Sequence, residues 1–101
     1  MESMTEAADD GPTISEQMTP SIARYFRMQF ESAQDSWVLL FPEGMIKLNQ
    51  SAAQILQRCD GKRDVAAIVS DLETTFNESG LTHDVKSFLQ IAHKQGWVQL
   101  G

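Results

Sequence analysis

The hydrophobic period of this chain changes at Asn49, from strand-like to helical until the last few residues, and that change limits what it can fold into. Before it, residues 24–31 alternate. Phe26, Met28 and Phe30 fall on one side; Tyr25, Arg27, Gln29 and Glu31 fall on the other. Period two is the pattern of a half-buried strand. Residues 32–36 are polar and short, which suits a hairpin connection. Residues 37–41 form a continuous apolar run of strand formers, too short for a helix, which predicts a central strand. Pro42-Glu43-Gly44 supplies a residue of fixed φ and then a flexible one, a turn. Met45, Ile46, Lys47 and Leu48 then return as a third, short strand. In a simple meander the first and third strands are edges, and an edge strand carries unpaired N–H and C=O groups.

After Asn49 the period becomes helical. The first helix starts at Asn49 or Ser51, with Ser51 and Gln54 spaced as a capping box. Ala52, Ile55, Leu56 and Cys59 form its apolar stripe, and Asp60-Gly61 stops it. A second helix starts near Asp64 with the stripe Val65, Ile68, Val69, Leu72 and Phe76, and ends in Asn77-Glu78-Ser79-Gly80. A third starts at Thr82, with Asp84 in its first turn, and carries Val85, Phe88, Leu89 and Ala92. Gly96 ends it, and Trp97, Val98, Gln99 and Leu100 alternate as a short final strand. Three antiparallel strands, three helices and a short C-terminal strand make an α+β domain with the content of a winged helix-turn-helix.

The folded part is expected over residues 20–101. Residues 1–19 hold Glu2, Glu6, Asp9, Asp10 and Glu16, no Lys or Arg, and no apolar period, so they are expected to form a disordered acidic tail. The whole chain of 101 residues carries a net charge of −6. Setting the five tail acids aside leaves nine acids against eight bases, a nearly neutral remainder. That argues against non-specific nucleic-acid binding, which needs a basic face to displace counterions. A single cysteine, Cys59, precludes an internal disulfide. With no basic-then-apolar N-terminus and no long apolar run, a soluble cytosolic protein is expected.

The residues offer little for catalysis or metal binding. His83 and His93 lie about 15 Å apart by helical rise, too far to share an ion. Cys59 falls on a core stripe, where a free cysteine acts as a small hydrophobe. No glycine-rich phosphate loop is present, and Ser51 has no obvious base. No enzyme, cofactor or metal is expected. Peptide binding by strand addition needs only a free edge and a neighbouring surface for alternate side chains. The strand 45–48 offers the edge; the third helix offers the surface if it packs beside that strand. Ile91, off the main stripe beside Gln90 and Lys94, would extend such a groove, and Lys47 and Lys86 would meet acidic residues of a partner.

The segments Val38-Leu-Leu-Phe-Pro-Glu-Gly-Met-Ile-Lys-Leu-Asn49, Ser51-Ala52, Cys59-Asp-Gly61, Arg63-Asp-Val-Ala-Ala-Ile68 and Trp97-Val-Gln-Leu100 resemble the PqqD family, small proteins of coenzyme PQQ synthesis. The resemblance covers about residues 20–100, and Pro-Glu-Gly-Met-Ile-Lys-Leu-Asn is its most specific string. It implies a non-catalytic peptide chaperone, a RiPP recognition element. Such a protein binds the precursor peptide PqqA and presents it to the radical SAM enzyme PqqE, on the way to pyrroloquinoline quinone. It also implies that the leader segment adds beside the third strand and lies against the third helix. Carried over, the peptide-binding residues are Met45, Ile46, Lys47 and Leu48 on the strand and Val85, Lys86, Phe88, Leu89 and Ala92 on the helix. The acidic tail lies outside the family pattern. Two other readings stay open here: a winged-helix DNA-binding regulator, and a binder of the quinone product with Trp37 or Trp97 near its site. A monomer is expected in dilute solution, with a strand-mediated dimer open to a chain with free edges.

Overall fold

The computed structural model describes residues 13–101. Five strands and three helices follow one another: β1 (Pro20–Ile22), β2 (Arg27–Glu31), β3 (Ser36–Phe41), β4 (Gly44–Lys47), α1 (Gln50–Gln57), α2 (Val65–Phe76), α3 (Thr82–Lys94) and β5 (Val98–Leu100). The α+β architecture matches the sequence reading. β2, β3 and β4 form an antiparallel sheet in that order, with β3 in the centre. Val38 and Leu39 on β3 are fully buried, as the continuous apolar run requires.

The expected first strand starts three residues late. Residues 24 and 25 lie in a turn closed by the Phe26 N–H donating to the Ala23 carbonyl at 2.9 Å, so Tyr25 stands 69% exposed. Alternation alone does not distinguish the strand from this turn, because Phe26 still points inward. Its ring lies 5.5 Å from that of Phe41.

The final strand pairs with β1, a strand absent from the sequence reading, and these two make a separate sheet. Pro20–Ile22 is too short to show a period. It is held from both sides: Gly101 and Thr19 exchange backbone hydrogen bonds at 3.0 and 3.1 Å, and the Gly61 N–H donates to the Pro20 carbonyl at 3.0 Å.

The helices supply most of the core. α1 buries Ala52, Ala53, Ile55 and Leu56, α2 buries Val65, Ile68, Val69 and Leu72, and α3 buries Val85, Leu89 and Ala92. α1 packs on β3 and α2, while α3 packs on α2 and β5. Asn49, not Ser51, caps α1: its Oδ1 accepts from the Ala52 N–H at 2.8 Å. Gln54 is instead engaged by Arg58, whose Nη1 donates to Gln54 Oε1 at 3.0 Å. Phe76, assigned to the α2 stripe, is 39% exposed because α2 ends there, with Asn77 in the left-handed conformation.

The folded domain also begins earlier than residue 20. Ile14 is 3% exposed and Met18 packs against the core. The reason lies at the start of α2, where three N–H groups need partners from outside the helix. Val65 N–H donates to the Met18 carbonyl at 2.8 Å, and Ala66 N–H to the Glu16 carbonyl at 3.0 Å. Ala67 N–H donates to the Asp64 side chain at 2.8 Å. The segment 13–19 therefore serves as an external cap, corrected from tail to domain. A segment that docks by one apolar side chain and two carbonyls leaves no period to read. The rest of the expected tail, residues 1–12, lies outside the described residues.

Removing the Ile14 side chain tests this boundary. Ile14→Ala is expected to lower unfolding free energy in urea by about 2–4 kcal/mol, as for a buried large-to-small change. A disordered position would change it by less than about 0.5 kcal/mol.

Candidate functional site: an open strand edge

β4 is paired on one side only, by β3. Which of its backbone groups are available follows from one hydrogen bond. The Leu48 N–H donates to the Trp37 carbonyl at 3.0 Å, in register with the pairs Val38–Lys47, Leu39–Ile46 and Leu40–Met45. In an antiparallel ladder, bonded and non-bonded pairs alternate. Leu48 and Ile46 therefore turn their N–H and C=O toward β3. Met45 and Lys47 turn theirs outward, where an added strand would pair.

The side chains alternate in the same way. Ile46 lies opposite Leu39 and packs on the core. Met45 is 44% exposed, Lys47 is exposed, and Leu48 is 7% exposed and belongs to the core. Of the four strand residues expected in the site, two present backbone and side chain to solvent, and two anchor the strand.

On α3 the structure divides the expected residues differently. Val85, Leu89 and Ala92 are 2, 0 and 0% exposed; they hold the helix in place and offer no surface. Phe88 is half-buried, its ring 6.5 Å from that of Trp97. Lys86 is half-buried and forms an ion pair with Glu16 at 3.4 Å. Ile91 is 55% exposed, on the outer side of the helix.

Sequence reasoning missed a cleft of about 270 Å³ that opens between the first turns of α1 and α3. Gln50, Ser51 and Ile55 line one side, and Leu81, Asp84 and the overhanging Phe76 line the other. It begins three residues after Lys47, so it follows the strand edge along the chain. Only the exposed end of the α2 stripe, Phe76, hinted at it.

With this geometry in view, the comparison with known proteins is decisive. The family model for coenzyme PQQ synthesis protein D (PqqD) matches residues 36–98. The chain belongs to the PqqD family. The PqqA binding protein of Pseudomonas aeruginosa is 55% identical, over 80% of this chain and 89% of its own length. The PqqA binding protein of Kluyvera intermedia is 51% identical over 85% and 95% respectively. The solution NMR structure of the PqqD truncation of Methylobacterium extorquens PqqCD, described as a functional and stand-alone RiPP recognition element, superposes with a TM-score of 0.71. It is 24% identical and covers 85% of this chain and 94% of the other, so it bears on the fold alone. The part matched to the PqqD family model spans β3 to the start of β5. It contains β4 and α3 and leaves out β2, the opposite edge of the sheet.

The described residues of this PqqD chain include one free cysteine, Cys59, which is buried. No group of three or more His, Cys, Asp or Glu side chains there could hold a metal ion, and no helix there is long and apolar enough to cross a membrane. Burial, and to a lesser degree the neighbouring Asp60 carboxylate, pushes the Cys59 thiol up to about 12. The thiol donates to the Ile55 carbonyl at 3.4 Å. Such a thiol is protonated at neutral pH and shielded from reagents. Labelling with a thiol-reactive chromophore at pH 8 is expected to proceed at the unfolding rate, and at once in denaturant. Rapid labelling of the native protein would contradict this placement.

Proposed function

We propose that this protein binds the precursor peptide PqqA by adding a segment of it as a strand beside β4. It acts without catalysis of its own, in the cytoplasm, and presents the bound peptide to the radical SAM enzyme PqqE in pyrroloquinoline quinone synthesis. The observation that carries the reading is the outward-facing backbone of Met45 and Lys47 on a strand paired only on its other side, by β3. Relatives over 50% identical that are named PqqA binding protein support the choice of peptide. Main-chain pairing supplies affinity in strand addition, and alternate side chains supply specificity. Met45 and Lys47 flank the added strand on the outer face of the sheet. Of the five helix residues expected in the site, Phe88 and Lys86 on α3 are the partly accessible ones, while Val85, Leu89 and Ala92 are buried.

The parity of β4 makes the reading testable by proline substitution, because proline removes the backbone donor. Met45→Pro and Lys47→Pro are each expected to weaken PqqA binding by at least about fivefold, the worth of a backbone hydrogen bond, with the fold retained. Ile46→Pro is expected to lower stability instead, since its N–H belongs to the β3 ladder. Wild-type affinity in both of the first two variants would overturn strand addition at β4. Presentation is checked by the rate at which PqqE modifies PqqA: the reaction is expected to slow in the same two variants, and an unchanged rate would detach peptide binding from the enzyme step.

A further inference from the structure

On the outer face of the sheet, away from the helices, the pairing register sets Arg27, Leu40 and Met45 in one row across the three strands. At the β2 end of that row lies a concavity of about 430 Å³, lined by Arg24, Tyr25, Arg27, Leu40, Phe41 and Pro42 among others. Its two cations differ from the other two arginines of the chain. Of the four arginines, Arg58 and Arg63 are both paired with aspartates, Asp71 and, for Arg63, Asp60 as well. Arg24 and Arg27 have no acidic partner among the described residues. Arg24 instead sits over the Tyr25 ring, 5.6 Å from its centroid. Glu43, next to Pro42 in the turn, pairs with neither.

We propose that this concavity is a second docking surface, which takes an acidic segment of a partner polypeptide bearing an aromatic side chain next to a carboxylate. The planar guanidinium groups of Arg24 and Arg27 would each receive a carboxylate with two parallel N–H donors. The exposed ring of Tyr25 and the Phe41 side chain would take the aromatic group. Charge complementarity selects this occupant: two arginines with no acidic partner among the described residues line one concavity, and together they attract anions.

The surface is separate from the strand edge. β2 and β4 flank β3, and a strand added to β4 would lie about three strand spacings, roughly 14 Å, from β2. A peptide paired with β4 therefore leaves the concavity open for a different segment, and the proposal stands without strand addition.

The test is an NMR titration of the full-length, 15N-labelled protein with three blocked tripeptides: Glu-Trp-Glu, Gln-Trp-Gln and Lys-Trp-Lys. The acidic peptide is expected to shift the arginine Nε–H signals of Arg24 and Arg27 and the amides of residues 24–27 and 40–41. It should bind about fivefold more tightly than the glutamine peptide, as two exposed ion pairs would give. The double variant Arg24→Gln, Arg27→Gln is expected to lose that preference while its other signals stay in place. Equal binding of the acidic and glutamine peptides, preference surviving in the double variant, or shifts confined to other residues would each overturn the proposal. Shifts of residues 24–27 with concentration of the protein alone would overturn it in favour of a second copy of this chain.

Discussion

The hydrogen bond from Leu48 to Trp37 fixes the parity of β4, and much of the functional geometry depends on it. A strand has two kinds of residue: those that bond to the inner neighbour and those that face away. Here the core-facing side chain of Ile46 and the inward backbone of Ile46 and Leu48 coincide. A slip of one residue would expose Ile46 and bury Lys47. Burial of β3 on both faces, with Val38 and Leu39 fully enclosed, makes such a slip costly. The outward groups of Met45 and Lys47 are thus held in position by the core on the other side of the strand.

The same economy appears at the start of α2. A helix needs outside acceptors for its first N–H groups, and this one takes them from Asp64 and from the carbonyls of Glu16 and Met18. The segment that provides them also buries Ile14 and brings Glu16 to Lys86 on α3. Residues 13–19 therefore tie α2 and α3 together, and β1 ties the following residues to the C-terminus through β5. Two of the three helices are thus fastened by a segment with little regular structure.

Much of this fold was legible in the sequence. The switch of period at Asn49 separated sheet from helices, and the stripes of all three helices identified most of the core. Helices of eight residues or more repeat their pattern often enough to be read, and the central strand is recognised by its unbroken apolar run. What escaped were features with too few side chains to repeat: β1, the capping segment 13–19, and the turn before β2. The site was legible as an edge strand, but the α3 stripe names the residues that hold the helix, and a stripe marks burial rather than access. Parity was beyond reach, because it depends on which carbonyl of β3 meets Leu48, and that is set by the hairpin turn and the packing of both strands.

Amide hydrogen exchange across β4 tests the central claim most directly, since it reads each backbone donor separately. In the free protein Ile46 and Leu48 should exchange slowly and Met45 and Lys47 fast; on saturation with PqqA, Met45 and Lys47 should become protected while the other two change little. Slow exchange of Met45 and Lys47 before the peptide is added, or fast exchange of both after it binds, would contradict the account.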